Sequence, residues 1–289
     1  MRTSRTVSVR LGVHVEQLTP ATGRSYPGGG PLVVTGSAGR LVIDSALTVE
    51  LPDHDGFLLS HHHEDHVAGV AVSGRLAAIH PADLDAVTDW SLFSGACGYG
   101  DQHWASLMRE EFKWAAIDTV RALDVVELVE LGGVTVRVIH LPGHTRGHCG
   151  FVIEPDGVFY LGDIDLTRFG PFYGDAHASL GDTRRSLARV GSIPAAVRAT
   201  FHQKGPYLSD AEFNGAIREH CDALDRRHEA VADAFARRPD ITATELVGSG
   251  VVYRPGSSPV WGADAERRMI QRHLDELRST ATTNRVVEP

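Results

Sequence analysis

The sequence predicts one α/β domain over residues 1–208, with a helical insertion at 81–124 and a helical appendage at 209–289 packed on the same domain. Three observations carry this reading. The first 60 residues are mostly β-like, apolar strands return after the insertion, and the chain from Ser209 onward is patterned as helix. Strands interleaved with helices on both sides of an insertion fit a layered α/β architecture.

Taken in order, "TVSVRLGVHV" alternates, "GGGP" turns, and "PLVVTGSAGRLVIDSAL" reads as two strands around a Gly-containing turn. "DGFLLS" is a short buried strand ending at Ser60, "HVAGVAVSG" a short helix closed by Gly74, and "RLAAIHP" another strand. Residues 81–124 read as helices bearing Trp90, Phe93, Trp104, Phe112 and Trp114, interrupted by the Gly-rich "SGACGYGD". β character resumes in "VVELVEL", "GGVTVRVIHLPG", "HCGFVIEPDG" and "VFYLGD", followed by a helix near 182–190 and the strand "AVRATF". The appendage opens with Ser209 and Glu212 spaced as a capping box and its first helix stops before Pro239; "TATELVGSG" and "DAERRMIQRHLDELRS" complete it.

The chain has 289 residues, 42% hydrophobic and 22% charged, with a net charge of -9. No Lys/Arg stripe is present, so nucleic acid is not an expected partner, since such binding rests on many phosphate contacts. The N-terminal "MRTSRTVSVRLGVHVEQLTP" has no continuous apolar core, which predicts no signal peptide. No apolar run reaches the ~18 residues of a membrane span. Three cysteines without CxxC spacing predict a reduced, cytoplasmic protein. The oligomeric state stays open, a homodimer included. His220, His228 and His273 fall in charged helical stretches and read as surface residues.

The stretch "LLSHHHEDHVAG" crowds four histidines and two carboxylates into residues 61–66, directly after an apolar strand. Four such strands end in a candidate ligand: "GFLLS" leads to His61, "VTVRVIHLPG" to His144, "VFYLG" to Asp163 and "AVRATF" to His202. Sites in open α/β folds gather at carboxyl ends of strands, where side chains from separate strands converge. Residues two apart in an extended segment share a face, so His61 and His63 can reach one ion, while Asp65 and His66 point from a turn toward a neighbouring position. Imidazole and carboxylate suit zinc, manganese or iron. Asp163 can bridge a metal pair, with Asp165 a competitor for that role.

"HHHEDH" with "LPGHTRGH", "LGD" and a later strand-terminal histidine resembles the metallo-β-lactamase-fold superfamily of metallohydrolases, over roughly residues 7–205. The resemblance implies an αβ/βα sandwich and two divalent ions, zinc first, with iron or manganese as substitutes. It implies His61, His63 and His144 on the first ion, Asp65, His66 and His202 on the second, and Asp163 bridging. The helical tail is similar to those of the glyoxalase II and lactonase-like branches.

The implied chemistry is hydrolysis of an ester-like bond (thioester, lactone, lactam or phosphodiester) in a small molecule by metal-bound hydroxide, a bound ion lowering a water pKa to about 7. Asp65 would orient the hydroxide and carry its proton. The rival readings are an iron-dependent dioxygenase or oxidoreductase, a nuclease, and a non-catalytic scaffold. Asp44 is expected to buttress the metal loop and His148 to support a ligand, while His62 and Glu64 face solvent or lie behind the ligands. Cys149 is read as a small buried residue. Substrate contacts are expected from Trp90, Trp104, Tyr173, Lys204 and Tyr207, with Arg168 a further lining candidate. "SGACGYGD" is expected to supply mobility, and at least one insertion ring to touch an apolar substrate.

Overall fold

A computed structural model describes residues 6–47, 49–259 and 262–286. The first five residues of the stretch read for a leader, and the last three of the appendage, lie outside the described residues. A seven-stranded sheet runs in the order β1 (Thr6–Arg10), β2 (Val15–Pro20), β3 (Leu32–Thr35), β4 (Arg40–Ile43), β5 (Gly56–Leu59), β6 (Leu76–Ile79) and β7 (Val120–Ala122). A five-stranded sheet runs β12 (Val197–Ala199), β11 (Val158–Tyr160), β10 (Cys149–Glu154), β9 (Thr135–His140) and β8 (Leu128–Glu130).

Strand alternation decides the layering. Leu32, Val34, Ile43 and Leu58 meet Val136, Val138, Phe151 and Ile153 in one core between the sheets. Their neighbours Val33, Val42, Phe57 and Leu59 point outward to a second core with Val87, Phe93 and Trp114. On the far side, Ile139, Val152 and Phe159 meet Leu187, Val190, Phe213 and Ile217. A period of two thus buries both faces of both sheets, giving helix–sheet–sheet–helix layers, the αβ/βα sandwich.

Residues 81–124 form a crossover within the first sheet. Helices α2 (Pro81–Thr88), α3 (Trp90–Cys97) and α4 (Gln102–Glu111) cover its outer face, and the segment ends in β7, which pairs parallel with β6. The short α1 (Val70–Ser73) closes on Gly74 at φ 63, as its sequence predicts. Beyond α5 (Leu180–Val190) come α6 (Asp210–Arg237), α7 (Ala243–Leu246) and α8 (Gly262–Val286). Ser209 caps α6 by accepting from the Glu212 N–H, but its hydroxyl also donates to the Glu212 carboxylate; the reciprocal capping box is instead at Thr242–Glu245. Among the described residues no helix is long and apolar enough to cross a membrane.

The surface reading of His220 and His273 is corrected, since both are fully buried. On α6 the buried residues Phe213, Ile217, His220, Leu224, Arg227 and Val231 recur every three or four positions, so His220 sits in the apolar stripe despite its charged neighbours. His220 meets the Thr167 carbonyl at 3.0 Å. On α8, Met269 and Ile270 bracket the same stripe with His273, whose Nε2 accepts from the Tyr173 hydroxyl at 2.8 Å.

Candidate metal centre

Parallel pairing of β4 with β5 and of β11 with β12 aims their carboxyl ends at one edge of the sandwich. There the seven residues picked out from the sequence converge. His61, His63, His144 and Asp163 form one group and Asp65, His66 and His202 another, with donor atoms in each within 4.8 Å of one another. Asp163 stands between them. Its Oδ2 lies 3.3 Å from His144 Nε2 and 3.9 Å from His61 Nε2. Its Oδ1 lies 2.9 Å from His66 Nε2 and 3.6 Å from His202 Nε2.

Hydrogen bonds behind the rings assign their tautomers. His61 Nδ1–H donates to Ser60 Oγ at 3.0 Å, and His63 Nε2–H to Asp175 at 2.5 Å. His144 Nδ1–H donates to the Phe172 carbonyl at 3.0 Å, His66 Nδ1–H to Asp44 at 2.9 Å, and His202 Nδ1–H to the Gly28 carbonyl at 2.9 Å. Each ring therefore turns a bare nitrogen inward. In these tautomers His144 Nε2 faces His61 Nε2 at 3.2 Å and His63 Nδ1 at 3.1 Å lone pair to lone pair, while burial of His63 is outweighed by Asp175, which raises it well above its ordinary pKa. Facing lone pairs are relieved by a positive charge between them, a proton or a metal ion. A tetrahedral zinc with bonds of about 2.0–2.1 Å has donor–donor edges of about 3.4 Å, close to these spacings. His66 Nε2 and Asp163 Oδ1 are also buried without a hydrogen-bond partner, so the donor set fits two cations.

The electrostatics agree. Burial and the neighbouring His66 and His63 hold His61 well below its ordinary pKa. Burial also opposes charge on His66 and His202, yet Asp163 and the adjoining carboxylates outweigh it, raising them to about 10 and about 9. Burial opposes ionisation of Asp163 as well, but His66 and His202 keep it well below the usual carboxylate range. A field that holds extra protons on two buried imidazoles favours cations in their stead.

The supporting side chains are buried. Asp44, at φ 61, accepts from the Ser60 N–H and Oγ, each at 2.7 Å, from His66 Nδ1 at 2.9 Å and from the Tyr160 hydroxyl at 2.7 Å. His148 Nδ1–H donates to the Leu141 carbonyl while Nε2 accepts from the Asp163 N–H, both at 3.1 Å; burial, with His144 nearby, lowers its pKa to about 3 and keeps that acceptor free. Neither His62 nor Glu64 faces solvent. His62 lies 3.0 Å from Asp83, which also takes the Thr145 hydroxyl at 2.6 Å and the Gly147 N–H at 2.8 Å, tying the two histidine loops together. Glu64 receives the hydroxyls of Tyr26 and Tyr99 at 3.0 and 3.3 Å. Cys149 is fully buried, and burial raises the thiol of Cys97, 3.8 Å from His62 Nε2, to about 12, so Cys97 is no thiolate.

A cavity of about 520 Å³ opens over His63, Asp65, His144, Asp163 and His202. Of the expected substrate contacts, Trp104 lines it. Trp90 instead stacks on Phe93 and meets Trp114 edge-on beside the outer core, with Arg109 over its ring at 5.2 Å. Tyr173 is fully buried against α8, and its neighbour Phe172 faces the cavity: one residue of offset changed the side. Tyr207 packs on Phe213, Arg168 pairs with Glu219 at the surface, and Lys204 presents its carbonyl to Arg24, its side chain exposed away from the lining. The wall residues missed from the sequence include Tyr26, Tyr99, Met108, Phe172, Tyr253 and Arg268. "SYPGGGP" and "SGACGYGD", each an aromatic within a glycine loop, carried the local signal for Tyr26 and Tyr99.

A family model for the metallo-beta-lactamase superfamily matches residues 31–202. The chain belongs to this superfamily. A metallo-β-lactamase-superfamily chain with this relationship is an enzyme, a metal-dependent hydrolase. The hydroxyacylglutathione hydrolase of Methylococcus capsulatus is 28% identical over 78% of this chain and 79% of its own length. That of Xanthomonas campestris pv. campestris is 31% identical, over 70% and 71% respectively. The match to the Aeromonas salmonicida enzyme, 29% identical, spans about half of that relative (52%). Among solved structures, a beta-lactamase domain protein from Burkholderia ambifaria superposes with TM-score 0.70, 18% identity and coverage of 97% of this chain and 89% of that one. A metallo-beta-lactamase family protein from Thermus thermophilus gives TM-score 0.64 at 21% identity, covering 97% and 95%. These two establish likeness of fold.

Proposed function

We propose that this protein hydrolyses an ester-like bond of a small molecule, thioester first, at a dinuclear metal centre. His61, His63 and His144 would hold one ion, Asp65, His66 and His202 the other, and Asp163 both. The observation that carries the reading is the set of bare ring nitrogens converging on Asp163 at the floor of a partly apolar cavity. Two divalent ions, zinc foremost, would supply Lewis acidity and a water with its pKa brought to about 7.

The remaining work falls to the chain. Asp65, 3.0 Å from His202 Nε2 and bordering the cavity, is positioned to hold the proton taken from water and return it to the leaving group. Asp44, Asp175 and the Gly28 and Phe172 carbonyls fix the ring orientations, so little reorganisation accompanies reaction. The aromatic walls exclude bulk water. Thioester leads because the curated relatives are named for a thioester substrate. Three unpaired cysteines support a cytoplasmic setting.

The test is metal analysis followed by thioester, lactone, lactam and phosphodiester panels in ¹⁸O-labelled water without molecular oxygen. Close to two ions per chain and one labelled oxygen per product are expected, with Asp163→Asn losing both occupancy and activity. A single tightly held iron with oxygen-dependent turnover would move the assignment to the dioxygenase reading.

A further inference from the structure

The chemistry of the cavity wall selects among esters. Asp65, Asp163 and Asp175 are engaged with the histidines of the centre. Four more carboxylates line the same space: Glu64, Asp101, Asp165 and Asp264. Among the described lining residues the one basic side chain outside the histidines is Arg268. Its guanidinium is already committed to backbone, donating to the Gly174, Gly98 and Cys97 carbonyls at 2.5, 2.9 and 3.2 Å. Between the acids the wall is apolar or aromatic, with Trp104, Met108, Phe169, Phe172 and Tyr253. An anionic group remote from the ions would meet acids in a partly desolvated space, where repulsion is screened less than in bulk water. An alkyl or aryl group would gain by burial.

We propose that this cavity takes uncharged, largely apolar acyl compounds and discriminates against substrates carrying remote carboxylates, glutathione thioesters included. The claim deepens the hydrolase reading and rests on it, because it assumes that the cavity over the centre is the substrate site. The chain thus parts from the substrate class for which its curated relatives are named, while keeping their bond type. Asp264, in the first turn of α8 and paired with Arg267 at 3.6 Å, is the lining acid whose charge is most easily inverted without touching the centre.

Equilibrium binding separates this claim from turnover. The probes are two non-hydrolysable thioethers with the same alkyl chain, S-hexylglutathione, which carries a net negative charge, and S-hexyl-N-acetylcysteamine, which is neutral. Binding to the metal-loaded full chain is followed by calorimetry at low and high salt. The neutral thioether should bind at least about tenfold more tightly, with the gap narrowing as salt screens the acids. Asp264→Lys should reduce the gap about fivefold or more, and Asp264→Asn less. Equal or tighter binding of S-hexylglutathione, or failure to bind the neutral thioether, overturns the proposal. Hydrolysis of the matching S-hexanoyl thioesters is measured in parallel. If neither is cleaved by metal-replete protein the thioester choice fails, and the binding ratio still decides this one.

Discussion

Replacing Asp44 by Asn tests whether tautomer control sets the centre. Asn tolerates the left-handed backbone at φ 61 and is nearly isosteric, so the fold should survive. Its Oδ1 can still accept the Ser60 N–H, now 2.7 Å from the carboxylate. The amide NH₂ then faces three groups. Two are hydroxyls, Ser60 Oγ and Tyr160, which can rotate to accept. The third is His66 Nδ1–H at 2.9 Å, which cannot. Relief comes if the His66 proton moves to Nε2, the nitrogen aimed at Asp163 at 2.9 Å, and that atom is then lost as a ligand. Flipping the amide only transfers the clash to the Ser60 N–H. A charge-assisted hydrogen bond contributes about 1.5–3 kcal/mol. Loss of such a supporting partner lowers metal affinity by about 10–100-fold, or about 1.4–2.8 kcal/mol, so the two scales agree. Zinc titration against a chromophoric chelator should therefore show two steps in the wild type and a second step weakened by that factor in Asp44→Asn. The first step should be nearly unmoved, because Ser60 Oγ keeps its bond to His61. Weakening of both steps together, or of neither, would refute the argument.

Other expectations follow from the packing. A Cβ on Gly29 would lie 1.9 Å from the Phe201 ring, whose centroid is 3.7 Å from that of His66; Gly29→Ala should cost about 1–3 kcal/mol in chemical denaturation and lower zinc stoichiometry, and unchanged stability would contradict it. Trp104→Ala should raise KM for an apolar thioester about tenfold with metal content intact, while Trp90→Ala should lower Tm and leave KM alone; the reverse pattern would relocate the substrate contact. Burial, with the charges of His228, Arg184 and Arg227, lowers His273 to about 3 in the fold. Because the unfolded chain takes up this proton below pH ~6.5, stability is lost as pH falls, by about 2 kcal/mol at pH 5 for this group. His273→Gln should consequently show a shallower fall of Tm between pH 7 and 5 than the wild type, and parallel slopes would remove His273 as the cause.

Legibility in the sequence tracked the range of the cause. Alternation in "PLVVTG" and "GFLLS" reports which face of a strand is greasy, and the two-sheet core follows from it. The candidate ligands were visible because each stands just past a strand, a local position. Which side of the 169–175 loop meets the cavity depends on how that loop lies against α8, so Phe172 could not be told from Tyr173. Whether His62 and Glu64 face solvent or lie behind the ligands is not legible locally, because their partners, Asp83, Tyr26 and Tyr99, are remote in sequence. His220 and His273 are the avoidable errors. Their helical spacing places them among Ile217, Leu224, Met269 and Ile270, whatever the charge of adjacent residues.

The Arg268 clasp separates two timetables in the making of this protein. Every candidate ligand lies between His61 and His202, whereas Tyr253, Asp264 and Arg268 reach the cavity from the last part of the chain. At about 5–20 residues per second, synthesis delivers the complete donor set several seconds before the far wall exists. The candidate ligands and the far wall of the cavity are therefore separable in time. Changes along α8 can reshape the far wall of the cavity while leaving the candidate ligands untouched.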